Sequence, residues 1–262
     1  MAKAVPLFSG SKGNSYFIGS GGEGVLIDAG KNCKQIELAM ALNGVPMEQV
    51  RALFITHEHI DHCAAVRVLA KKYHLDVYAS EGTLRALEMS GKLDPRTVTH
   101  VITTEVAVGN MLVSRINTPH DAAESCCYRV VCPDGKAALV ATDMGVMTDG
   151  VRMAAAASDF VVLESNHDID MLKTGPYPYP LKRRILSDRG HLSNEACAAE
   201  LTELVRGGTL RLMLGHLSEQ NNTPALALRT SVCELERAGM KYNNDFTLDI
   251  APAATVAKSV IF

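Results

Sequence analysis

The chain has 262 residues, 47% of them hydrophobic, and a net charge of -3. That is enough apolar sequence for one large core and a single domain over residues 1–262, while whole-molecule attraction to nucleic acid is excluded, so any such contact needs a local patch. Seven cysteines with no Cys-x-x-Cys pair argue against a disulfide framework or a structural zinc cluster, and no apolar run nears the ~20 residues of a membrane span.

Met1-Ala2-Lys3 leads into Leu7-Phe8 without the apolar core of a signal peptide, so a soluble, cytoplasmic protein is expected. Ser15 to Ile18 and Val25 to Ile27 read as a hairpin around Gly19 to Gly24, and the second strand ends in Asp28. A helix is expected at Cys33 to Leu42 with Gly44 as its stop, then a strand at Leu53 to Ile55, helical periodicity from Cys63 to Lys72, and a helix at Thr83 to Met89. Met111 to Ile116 leads to His120, and Cys126, Cys127 and Cys132 suit positions in or beside strands. Ala137 to Ala141 leads to Asp143, Phe160 to Leu163 to Glu164, and Leu210 to Leu214 to His216. Helices are expected at Asn194 to Arg206 and Pro224 to Ala238, stopped by Gly207 and Gly239. Strands that each end in a charged or metal-capable side chain point to loops converging on one edge of a sheet scaffold. Burial of the strands on both sides suggests two sheets face to face with helices outside, an α/β four-layer αββα sandwich.

The run Thr56-His57-Glu58-His59-Ile60-Asp61-His62 reads as a metal site. His57 and His59, at i and i+2 on an extended segment, can share one ion, and Asp61 and His62 on the following turn can reach a second. Imidazole with carboxylate suits zinc first, with manganese or iron as alternatives. Asp28 is expected to accept backbone amides or to orient a ligating histidine.

The order Asp28, His57-x-His59-x-Asp61-His62, His120, Asp143, His216 resembles the metallo-β-lactamase superfamily. The segments Ser9 to Asn14, Glu164 to Asp168, Gly175 to Leu181 and Leu186 to Asn194 resemble its YycJ/WalJ-like branch, regarded as DNA exonucleases or phosphodiesterases related to ribonuclease Z. The resemblance implies that His57, His59 and His120 hold one ion, that Asp61, His62 and His216 hold the other, and that Asp143 bridges them, with Asp61 counted among the catalytic groups. A hydroxide between two divalent ions would then attack phosphorus in line. Digestion of DNA in the 5'-3' sense is a further implication. Glu164 with His191, in Gly190-His191-Leu192-Ser193, resembles the carboxylate and histidine that stand near the scissile phosphate in the ribonuclease Z relatives. An imidazole coupled to a carboxylate can protonate the leaving oxygen, so both are catalytic candidates.

Substrate candidates are Ser11, Asn14, His167, Lys182, Arg183 and Arg184. Lys173 through Arg189 sets cations beside Tyr177 and Tyr179 in a Pro-rich loop, as a nucleic-acid channel requires, and the small residues of Ser9 to Asn14 would let backbone N–H groups approach a phosphate. Nucleic acid, DNA in first place, is therefore the expected partner, with no membrane. Hydrolysis of a small phosphodiester, thioester or lactam, and a non-catalytic nucleic-acid-binding module, are the competing readings. His74 and His100 read as ordinary surface residues.

Overall fold

The structure is a computed structural model and describes residues 1–262. In chain order the elements are β1 (Lys3–Phe8), β2 (Ser15–Ser20), β3 (Glu23–Ile27), α1 (Cys33–Leu42), β4 (Val50–Phe54), α2 (Ile60–Cys63), α3 (Val66–Tyr73), β5 (Asp76–Ala79), α4 (Glu81–Met89), β6 (Thr99–Val101), β7 (Glu105–Val108), β8 (Met111–Asn117), β9 (Cys126–Val131) and β10 (Ala137–Ala141). They continue with α5 (Asp149–Ala156), β11 (Phe160–Glu164), α6 (Ile169–Thr174), α7 (Tyr179–Ile185), α8 (Asn194–Arg206), β12 (Arg211–Gly215), α9 (Pro224–Arg237), β13 (Thr247–Ile250) and β14 (Val260–Ile261). Two compact units result: Met1–Asn117 with Ala122–Ala138 and Pro252–Phe262, and Thr118–Asp121 with Leu139–Ala251.

The first unit carries a seven-stranded mixed sheet in the order β14-β1-β2-β3-β4-β5-β6. β1 to β3 form the antiparallel meander whose second hairpin the sequence indicates, and β3 to β6 run parallel. Period-2 alternation sends Leu53, Ile55, Val77 and Ala79 into a core with Ile36 and Met40 of α1, Val66 and Leu69 of α3, and Leu84 and Leu87 of α4. Phe54 points the other way, stacked on Tyr78 at 4.8 Å and edge-on to Tyr128 of β9 at 5.3 Å. The Tyr128 hydroxyl donates to the Ile55 carbonyl at 3.0 Å. The β7-β8-β9 meander thereby covers the opposite face of the sheet.

A second sheet has the order β13-β12-β11-β10-β9-β8-β7. In the second unit β11, β12 and β13 run parallel, their registers joining Glu164 to Gly215 and Leu214 to Ile250. Its longer helices are α5, α8 and α9, the first two tied by an ion pair from Arg152 to Glu200 at 2.6 Å. The expected α/β architecture of two sheets flanked by helices is met.

Two expectations need correction. The helical stretch after His62 is not continuous: Ala65 donates its N–H to the Ala29 carbonyl at 2.9 Å, and α3 starts after that break. The Pro-rich segment is a loop only over 175–178, because Pro178 stands at the N-cap and Pro180 in the first turn of α7, where a missing N–H costs nothing.

Candidate metal centre

In the first unit, β3 and β4 pair in parallel with Ile27 opposite Phe54, so Asp28 leaves the sheet beside Ile55 and Thr56. Asp28 turns with φ of 62°, a left-handed conformation that Asp tolerates better than most residues. Its carboxylate accepts the Thr56 N–H at 2.8 Å, the Thr56 hydroxyl at 2.9 Å and the His62 Nδ1–H at 2.7 Å. The Thr56 hydroxyl in turn lies 3.0 Å from His57 Nδ1. That network assigns the Nδ1 tautomer to both rings, so each presents Nε2 as a lone-pair donor, the form a metal requires. His57 Nε2 stands 3.0 Å from His59 Nδ1, and His62 Nε2 stands 3.5 Å from Asp61 Oδ2. Burial pushes the Asp28 carboxyl up, while His62 and Thr56 pull it down. Gly30 allows this packing: a Cβ there would stand 1.7 Å from the Asp61 carbonyl oxygen.

In the second unit the candidates again follow strands, Asp143 after β10, Glu164 closing β11 and His216 after β12. Asp143 and His216 have φ of 61° and 53°, so three of the five non-glycine residues with positive φ are candidate site residues. Such strain concentrates at functional positions. Asp143 caps no helix, that role in α5 falling to Thr148. Glu164 is a hub: Oε1 accepts His191 Nδ1 at 2.7 Å and His216 Nδ1 at 2.9 Å, and Oε2 accepts the Met144 N–H at 2.9 Å. His216 Nδ1 also lies 3.2 Å from Asp143 Oδ1. Burial works to raise the Glu164 carboxyl, but the charge and hydrogen bonds of His191 and the hydrogen bond of His216 outweigh it and hold it low. His120 donates Nδ1–H to the Gly190 carbonyl at 3.1 Å and so also presents Nε2; burial lowers its pKa.

A divalent ion fits beside Asp143 and His216, the two expected ligands of this unit's cluster, with Glu164 and His191 supporting them. Ligand atoms of Asp143, Glu164, His191 and His216 lie within 4.8 Å of one another, with two carboxylates almost wholly buried. Buried carboxylates repel unless a cation offsets them, and imidazoles with Nδ1 engaged and Nε2 presented are ready ligands.

The substrate candidates fare unevenly. Asn14 is held inside the first unit, its Nδ2 3.0 Å from His62 Nε2 and its Oδ1 accepting the Gly10 N–H at 2.9 Å. It therefore supports the histidine run rather than standing open to a substrate. Lys182 donates to the Lys173 and Gly175 carbonyls at 2.8 and 2.7 Å and closes the end of α6. Arg184 pairs with Asp121 at 2.9 Å, and Arg189 donates to the His120 carbonyl at 3.0 Å. Ser11 and Arg183 are exposed. His167 is 1% exposed with neither ring nitrogen hydrogen-bonded, and burial lowers its pKa to about 4. His100 stays at the surface, where it pairs with the equally exposed Asp76 at 2.8 Å and stacks on Tyr78.

Sequence reasoning missed Thr56, which links Asp28 to His57, and Asn166, whose amide donates to the His216 carbonyl at 2.9 Å. Both flank recognised residues, but neither belongs to a metal-ligand type. Glu58 was passed over as well; its Oε1 accepts the Ala123 N–H at 2.8 Å.

These features define a member of a known class: residues 9–216 match the metallo-beta-lactamase superfamily, and the chain belongs to it. Exodeoxyribonuclease WalJ of Streptococcus pneumoniae is 37% identical over 252 residues, covering 94% of this chain and 93% of that protein. Exodeoxyribonuclease YycJ of Bacillus anthracis is 37% identical over 246 residues, covering 92% of each. Among solved structures, the metallo-beta-lactamase fold protein YhfI from Bacillus subtilis superposes with a TM-score of 0.74 over 100% of both chains at 16% identity, a likeness of fold.

Proposed function

We propose that this chain is a metal-dependent exodeoxyribonuclease that hydrolyses phosphodiester bonds, with 5'-3' polarity. The observation that carries the chemistry is the carboxylate-held imidazole, His191 Nδ1 at 2.7 Å from Glu164, beside Asp143 and His216. The reading of DNA as substrate is supported by the two exodeoxyribonucleases that match nearly end to end. His57, His59 and His120 would hold one ion, Asp61, His62 and His216 the other, and Asp143 both; zinc is the first choice, with manganese or iron as alternatives. When bound, the two ions supply an activated water and neutralise charge at the phosphate.

The chain's own groups do the rest. Asp28, through Thr56 and His62, fixes the tautomer of the first unit's ligands. Glu164 does the same for His216 and orients His191 so that Nε2, once protonated, can donate to the departing 3'- or 5'-oxygen. Arg183 and Arg184 would meet the strand's phosphates and Ser11 would line its path, while Asn14 and His167, both buried, would support that path from behind.

The test incubates metal-analysed protein with end-labelled single- and double-stranded DNA and RNA under Mn²⁺ or Zn²⁺, beside bis-(p-nitrophenyl) phosphate, a thioester and a lactam. Mononucleotides released progressively from one DNA end are expected. Turnover of the thioester or lactam with intact DNA would overturn the reading.

A further inference from the structure

Beside the histidine run, entirely within the first unit, lies a shallow depression of about 410 Å³ whose lining includes Lys12, Lys31, Asn32, Gln35, Ile60 and Asp61. Its chemistry is one-sided. Asp61 is the only acid in the lining, and it is assigned to an ion; no acidic residue occupies the first turn of α1, which starts here. Lys31 is half-buried and makes no ion pair, so its charge is unspent. Its stem lies close over Gly13, where a Cβ would stand 2.8 and 2.9 Å from Lys31 Cδ and Cε. The ammonium sits over the Phe8 ring, 5.8 Å from its centroid. Asn32 donates its amide to Gln35 Oε1 at 2.7 Å, which orients the Gln35 amide and leaves its two N–H donors. Across the depression Ile60 is 59% exposed, an apolar side chain directly between two candidate ligands in sequence.

A pre-positioned cation, an amide donor and an apolar surface within one depression match the alternation of phosphate and sugar along a nucleic-acid strand. We propose that this depression binds the backbone of the DNA strand next to the bond being cut, with Lys31 on a phosphate that is not cleaved, Gln35 on a neighbouring backbone oxygen and Ile60 against a deoxyribose or base. The proposal rests on the nucleic-acid reading above and adds a subsite on the β3-α1 connection, far in sequence from the Arg183-Arg184 segment.

The experiment is fluorescence anisotropy of a labelled single-stranded 12-mer DNA in EDTA, across a sodium chloride series, with melting curves to confirm folding. Lys31→Ala should weaken binding about 3- to 10-fold and reduce the magnitude of the salt slope by about 0.7, the value of one single-strand phosphate contact. Lys31→Arg should restore both, and Gln35→Ala should weaken binding without changing the slope, because an amide releases no counterion. Lys241→Ala, a charge-matched change in the segment before β13, should leave affinity and slope at parent values. If the parent binds DNA and Lys31→Ala matches it in affinity and slope, the subsite is overturned while the nucleic-acid reading stands. If the parent does not bind DNA under these conditions the subsite is overturned, and if it also fails to cleave DNA with metal the nucleic-acid reading falls with it.

Discussion

Asp28 engages one hydroxyl, one amide and one imidazole with a single carboxylate, so its effect on catalysis should pass through metal affinity. Asp28→Asn is expected to weaken metal binding about 10- to 100-fold, the range for a group that orients a ligand, as read by competition with a chromophoric chelator. Parent-like affinity would show that Thr56 and the strand ends suffice. His191→Ala should lower kcat by roughly 10²–10⁴-fold on DNA, whose alkoxide leaves poorly, and much less on a p-nitrophenolate ester. Equal losses on both substrates would remove His191 from the proton-donor role. His167 supports a prediction about pH. Its folded pKa, about 4, lies below the ordinary histidine value of 6.5, so the unfolded chain takes up a proton first as pH falls. Stability is then present above pH 6.5 and is lost between 6.5 and 4, by up to about 3 kcal/mol. In His167→Gln the melting temperature should fall less steeply across that window; an identical slope would mean that other groups set the acid limb.

At the scale of elements, α1 and α8 were legible because each has a side-chain cap, helical periodicity and a nearby glycine: Asn32 accepts the Gln35 N–H, Ser193 accepts the Ala196 N–H, and Gly44 takes φ of 66°. The break before α3 was not legible, since Ala64 and Ala65 favour helix and only the distant Ala29 carbonyl interrupts it. The three-residue β6 and two-residue β14 are edge strands, too short for alternation to show. In the basic segment, composition suggested one shared role where the contacts divide it. Lys182→Ala should cost about 1 kcal/mol, a melting shift of about 2–4 °C, through the lost bonds to the end of α6, and leave the salt slope of DNA cleavage unchanged. Arg183→Ala with Arg184→Ala should instead reduce that slope and raise KM. The opposite pattern would return Lys182 to the substrate.

Over the whole molecule, the ligand candidates were readable because each follows a strand or lies in one dense run, and strand ends survive even where boundaries shift by a residue or two. Their supports were harder to read, because Asp28 reaches Thr56 across 28 residues and Glu164 reaches His216 across 52, distances that no local pattern encodes. Net charge belongs to this scale as well. At -3, the molecule as a whole offers a polyanion no attraction, so the salt dependence of DNA binding should count only a few local contacts. A steep slope, of the kind given by many phosphate contacts, would require many of the 26 lysines and arginines to be gathered on one face.

The left-handed strand ends at Asp28, Asp143 and His216 carry a consequence for how this protein tolerates variation. Asparagine and glycine adopt that conformation at least as readily as the native residues, and at Asp143 they also remove a negative charge beside Glu164. In a scan of all substitutions scored separately for thermal survival of the metal-free protein and for nuclease activity, Asp143→Asn and Asp143→Gly should survive heating at least as well as the parent and yet be inactive. The two maps should disagree at such positions more than anywhere in the hydrophobic core.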